Sequence, residues 1–192
     1  MSPTAVPTRP LQLRRTVLLA AAAALALVAV PCWAATAADL SRDAKAALGK
    51  LTKKVPAAKT LASAAQAVLV FPKVTKAGLV VGGQYGEGAL IQHGKVVAYY
   101  STAGASYGLQ AGAQTFGYAM FFMNEDALAQ LGRNEGFEVG VGPSVVVLDE
   151  GKAKSVTTTT ARDDIYAFIF GQKGLMAGVG VQGNKITRIH PK

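Results

Sequence analysis

Residues 108–114 read GLQAGAQ, within an uncharged run, STAGASYGLQAGAQTFGYAMFFM (101–123), whose glycines at 104, 108 and 112 stand four apart. On a helix this spacing forms the small-residue ridge along which membrane helices pack. On a strand, positions four apart fall on one face of the pleat. The choice decides the fold. Three related stretches occur elsewhere: GLVVGGQ from Gly78, GFEVGVG from Gly136 and GLMAGVG from Gly174. All four share Gly, bulky apolar, any, Val or Ala, Gly, any, then Gln or Gly, at offsets of 30, 28 and 38 residues. Three of them adjoin hairpin-like or β-rich runs. Gln110 and Gln114 would also share the glycine face, where lipid would leave their amides unpaired. Strands are therefore expected. Gly78, Gly82, Gly108, Gly112, Gly136, Gly140, Gly174 and Gly178 are then structural glycines, placed where a sheet bends sharply or another backbone comes close.

The neighbouring sequence supports β-structure. AVLVF (67–71) is a short apolar run closed by Pro72, and EGALIQ (87–92) and KVVAYY (95–100) flank a turn at His93–Gly94. SVVVLDEGKAKSVTTTT (144–160) predicts a hairpin about Glu150–Gly151, and LMAGVGVQGNKITRI (175–189) one about Gly183–Asn184. NEDALAQLG (124–132) alone reads as helix in this part, with Asn124 as N-cap and Glu125 and Asp126 in the first turn. Nearer the N-terminus, Ser41 is a plausible cap for a helix carrying Ala44, Ala47, Leu48, Leu51 and Val55 on one stripe. Pro56 ends that helix and opens a second to about Ala67, with Ala58, Leu61, Ala65 and Val68 on one face. The expected fold is α+β: an N-terminal helical pair packed on a curved antiparallel β-barrel-like sheet.

The first residues have a different character. Arg9, Arg14 and Arg15 precede an apolar run of 14 residues, Val17 to Val30, followed by PCWAATAA. A basic flank, a short apolar core and small residues at a cleavage site predict a signal peptide over residues 1–34, leaving one domain over 35–192. A bilayer-spanning helix needs about 20 residues. Cleavage is expected between Ala34 and Ala38, with a periplasmic or cell-envelope location. Acylation at Cys32 is the alternative, against which stands Pro31 at the preceding position. Cys32 is the one cysteine, so its removal leaves no thiol for a disulfide or a metal.

Charge then becomes informative. The 192-residue chain carries a net charge of +9 with only 16% charged residues. Residues 35–76 hold eight basic groups against Asp39 and Asp43, whereas residues 77–192 hold nine basic and nine acidic groups. A basic segment on a neutral body suits an anionic partner. Arg42, Lys45, Lys50, Lys53, Lys54 and Lys59 are the candidate binding residues, and a basic amphipathic helix lying on an anionic phospholipid surface is the expected use. An acidic protein or polysaccharide is the other partner class.

Catalytic constellations are missing. His93 sits in a predicted turn and His190 near the end of the sequence, neither with a metal-ligand companion at useful spacing. Asp163–Asp164 and Asp149–Glu150 read as solvated turns. GVGVQG (178–183) satisfies a dinucleotide fingerprint, but strand sequence follows it in place of a helix. No G-x-S-x-G occurs. Neither enzyme activity, a cofactor nor a metal is expected.

AVLVFPKVTKAGLVVGGQYGEGAL (67–90) resembles the SYLF domain, and YGLQAGAQ, FMNEDAL and GLMAGVGVQGNKITRI resemble later blocks of the same family in the same order. The likeness runs over about residues 38–190. It implies a compact α+β domain with a barrel-like sheet that binds anionic phospholipids, contacting the membrane through its basic N-terminal segment. Actin binding and a neighbouring SH3 domain, found in some eukaryotic members, are not implied for this chain.

Overall fold

The structure is a computed structural model describing residues 35–132, 137–138, 145–149 and 163–192. Helix α1 (Ala37–Lys54) is followed by α2 (Pro56–Ala64) and by strands β1 (Ala67–Gly78), β2 (Val81–Gln92) and β3 (Lys95–Phe122). A short helix α3 (Glu125–Ala129) runs into a 3₁₀ turn (Gln130–Gly132), and β4 (Phe137–Glu138), β5 (Val145–Asp149) and β6 (Ile165–Ile189) complete the sheet. The class is α+β, as expected. No helix among the described residues is long and apolar enough to cross a membrane.

The decisive stretch is strand. GLQAGAQ lies inside β3, 28 residues long, which β6 follows from Tyr99↔Ile189 to Phe122↔Ile165. At about 3.3 Å per residue such a strand would reach roughly 90 Å if straight, so it has to bend. Its first half pairs with β2 and its second half with β1, while β1 and β2 also pair with each other. Three mutually paired strands cannot lie flat, and the sheet curls over. Its pairs are antiparallel apart from β5–β6, which is parallel. Among the described residues β4 and β5 each pair only with β6, so the sheet is curved but not closed into a barrel.

Gly112 allows part of that bend, with φ 132 in a region that side chains disfavour. Gly174, at φ 93, lies so close to β3 that a Cβ would come within 2.5 Å of the Ala113 carbonyl oxygen. Gly78 faces Gly82 at the neck of the β1–β2 hairpin, where a Cβ on Gly78 would collide with the Gly82 Cα. Gly108 pairs with Gly180, and Gly178 with Gln110. Gly136 and Gly140 lie outside the described residues.

Around the first half of β1 both faces of the sheet are covered. Ala67, Leu69 and Phe71 enter an inner core with Tyr118, Met120, Phe122 and Ile165, whereas Val68 and Val70 join Phe121 and Phe168 beneath the helices. This is why β1 opens with a continuous apolar run and not with alternation. Phe121 and Phe168 meet edge to face at 5.4 Å, and Phe71 stacks on Tyr118 at 6.2 Å.

Several local expectations need correction. The first helix begins at Ala37, capped by Thr36, whose hydroxyl oxygen accepts from the Asp39 amide at 3.1 Å. Ser41 lies within it and shares a 2.8 Å hydrogen bond with the Tyr99 hydroxyl, tying α1 to β3. The second helix ends at Ala64 because β1 already begins at Ala67. Pro72 does not close β1: the strand continues to Gly78 across a bulge that absorbs the missing N–H. The hairpin at Gly183–Asn184 is absent, and β6 runs through, pairing these residues with Ala105 and Gly104. There Asn184 serves the interior, its Oδ1 accepting from Gln84 Nε2 at 2.8 Å. The turn at His93–Gly94 does form, with both residues at positive φ as a tight hairpin requires. Asn124 does cap α3, accepting from the Ala127 amide at 2.8 Å. The expected hairpin at Glu150–Gly151 lies outside the described residues.

A lysine-lined groove beneath the first helix

The helix α1 turns Leu40, Ala44 and Leu51 onto the sheet. Its polar residues follow from that orientation. Arg42 and Lys53 lie on the far side and Lys45 to one flank, whereas Lys50 and Lys54, one turn apart, border the buried stripe on the other. All six predicted binding residues, Lys59 on α2 included, are exposed.

Beneath the C-terminal half of α1 the sheet is creased. β1 bulges at Pro72, β3 shifts register about Phe116, and β6 compensates with Gly171 at φ 60. These irregularities occupy neighbouring positions on adjacent strands, so together they form a trough that regular pleating would not leave. Gly117 is part of it, because the Phe170 ring lies where a Cβ would stand. The resulting cavity has a volume of about 700 Å³. Leu51, Pro72, Phe116 and Phe170 supply apolar surface, and Lys50, Lys54, Lys73 and Lys173 stand around it with one carboxylate, Asp43.

Asp43 does little to neutralise these lysines, since it already accepts from Arg42 Nε at 3.0 Å. Arg42 also pairs with Asp39 at 2.8 Å, and Asp43 and then Asp39 hold its guanidinium above its ordinary value. Asp39 is held below the usual carboxylate range by the Thr36 hydroxyl, which donates to it at 2.7 Å, and by Arg42. Arg42 is thus compensated by two carboxylates.

The structure therefore brings Lys50 and Lys54 together and leaves Arg42, Lys45, Lys53 and Lys59 outside the groove. It adds Lys73 and Lys173, which sequence reasoning did not single out as binding residues. Lys73 directly follows Pro72 and Lys173 lies two residues after Gly171, so strand irregularities were the available signal. The apparent neutrality of residues 77–192 also resolves into a separation. Eight of the nine acids in that stretch lie between Glu125 and Asp164, and Glu87 is the remaining one. Strands β1, β2, β3 and β6 carry six basic residues against Glu87 alone. Among the described residues no group of three or more His, Cys, Asp or Glu is placed to hold a metal.

Residues 103–190 match the family model described as Ysc84, Las17-binding protein actin regulator. The match covers β3 from Ala103 onward through β6, hence Lys173 but neither helix α1 nor α2. No curated protein matches the chain.

Proposed function

We propose that the protein is a non-catalytic module that binds anionic phospholipid, its groove beneath α1 receiving the headgroup; the match of residues 103–190 to the Ysc84 (SYLF) family model supports this reading. The observation that carries this reading is the convergence of Lys50, Lys54, Lys73 and Lys173 on one apolar-floored groove whose lining holds one carboxylate, Asp43, engaged by Arg42, while Glu87, across from Lys73 on β2, accepts from the Tyr85 hydroxyl. Four ammonium groups offer donors and charge to a phosphate, and the floor accepts the first carbons beyond it. The basic groups outside the groove (Lys45, Lys53 and Lys59) add longer-range attraction. Each basic group near an anionic surface contributes on the order of 1 kcal/mol, screened over about 8 Å at physiological salt.

The same reading takes residues 1–34 as a signal peptide, making this a periplasmic or envelope protein. Cleavage after Ala34 would keep the Thr36 cap, whereas cleavage after Ala37 would remove it; the intact mass of the exported protein decides between these and acylated Cys32.

Vesicle sedimentation tests the binding. The chain should bind vesicles of phosphatidylcholine with phosphatidylglycerol, not phosphatidylcholine alone, and the binding should weaken steeply as salt rises. Lys45, Lys50, Lys53 and Lys54 changed together to Gln should abolish most of it while keeping the helix, since Gln has similar helix propensity. Lys50→Gln with Lys73→Gln and Lys173→Gln, three changes on three elements, should weaken it by about tenfold or more. Unchanged binding by both variants would make the lysines a solvated face. An acidic protein or polysaccharide would then become the better partner.

A further inference from the structure

Past the end of the groove, the face that carries Lys73 and Lys173 continues without a covering helix. Ala77, Ala113 and Leu175 are register partners across β1, β3 and β6, and partners across antiparallel strands share a face. Leu175 is 89% exposed. The β1–β2 hairpin projects beside them as Leu79–Val80–Val81, three consecutive aliphatic residues at 73%, 52% and 67% exposure. The paired glycines Gly78 and Gly82 allow the two chains to meet closely at its neck, so the tip is a narrow prong held by the Leu79 amide donating to the Val81 carbonyl at 3.2 Å. Exposed aliphatic residues gathered at one end of a sheet call for an occupant.

Charge identifies it. Among the described residues Glu87, the β2 partner of Lys73, is the one acid on β1, β2, β3 and β6, so the strand ends beyond it that bear the prong are basic wherever they are charged. Lys76 lies about 10 Å and Lys73 about 20 Å back along β1 from Leu79, and Lys173 about 7 Å from Leu175. An apolar tip with cations set back from it matches the layering of an anionic membrane: acyl chains within, phosphates above. A second copy of this chain would bring the same cations against each other, and a prong of three residues offers little area for a stable dimer.

We propose that the Leu79–Val81 prong, with Leu175 beside it, inserts into the acyl boundary of an anionic bilayer while Lys76 and Lys173 remain at the phosphate level. This rests on the membrane-binding reading above and adds a second contact that fixes the orientation of the domain. The lysine groove holds a headgroup; the prong supplies apolar burial, which salt does not screen.

The test places an environment-sensitive fluorophore on Val80→Cys in a Cys32→Ser background of the full chain, with His93→Cys at the opposite end of β2 as control. With phosphatidylcholine–phosphatidylglycerol vesicles, the label at 80 should shift to the blue and be quenched by nitroxides on the acyl chains, and the label at 93 should do neither. Leu79→Ser with Val81→Ser should lower vesicle binding by at least about tenfold, leaving the residual binding fully salt-sensitive. If the label at 80 stays in water while vesicles take up the protein, insertion is refuted and the lysine-groove reading survives. Should no protein sediment with vesicles, both fall. A blue shift that grows with protein concentration in the absence of lipid would assign the prong to a second copy and overturn the proposal.

Discussion

At the scale of single residues, the glycines divide by what their missing side chain permits. Gly174 combines positive φ with close approach to the Ala113 carbonyl, so even one methyl group would force β6 away from β3. Gly174→Ala should cost about 2–4 kcal/mol, read as a lower urea midpoint at unchanged slope. Gly49 is the opposite case: it sits within α1 with open space for 4 Å around the place a Cβ would take. There Gly49→Ala should stabilise by roughly 0.5–1 kcal/mol in the same measurement, because alanine loses less backbone entropy on entering a helix. Equal effects of the two changes would show that the Gly-rich pattern reflects composition and not geometry.

At the scale of elements, α1 is held at both ends of its contact with the sheet. Thr36 caps its amide end and the Ala37 amide donates to the Lys192 carbonyl at 3.0 Å, while Leu51 and Val55 enter the core beneath the helices. Pro56 then starts α2 without leaving an orphan amide. Thr36→Ala should therefore destabilise by about 1 kcal/mol, with amide exchange accelerated in the first turn of α1 and little changed in β3. Uniform acceleration across the sheet would instead mean that helix and sheet open as one unit. This matters for the site, because the groove exists only while the C-terminal half of α1 stays over the crease.

At the scale of the whole molecule, the inner core sets the response to alkali. Burial pushes the Tyr118 hydroxyl up to about 12, and burial also raises Tyr100, partly offset by Arg188. A raised folded value means that the native state holds its proton more tightly than the unfolded chain does. The associated stability is full below about pH 10, the unfolded value, and is lost as pH rises through 12. Tyr118 alone should make unfolding easier by on the order of 2 kcal/mol across that window. Urea midpoints of the parent should fall between pH 10 and 12 by more than those of Tyr118→Phe; parallel curves would place the alkaline transition elsewhere.

Much of this protein is determined by local sequence. The stripe of Ala44, Leu51 and Val55, the Asn124 cap, the His93–Gly94 turn and the strand reading of GLQAGAQ depend on neighbours within a few residues, and each is found in the structure. Local rules failed at Pro72 and at Gly183–Asn184, where a strand breaker and a turn pair sit inside continuous strands because partner strands supply the hydrogen bonds. The lysines proposed to bind divide in the same way. Charge counting singled out Lys50 and Lys54, which a helix places on one side as i and i+4 and which line the groove. Lys73 and Lys173 are 100 residues apart. They come together only because three adjacent strands crease at one level and α1 covers the crease, a coincidence of register that exists only in the folded sheet.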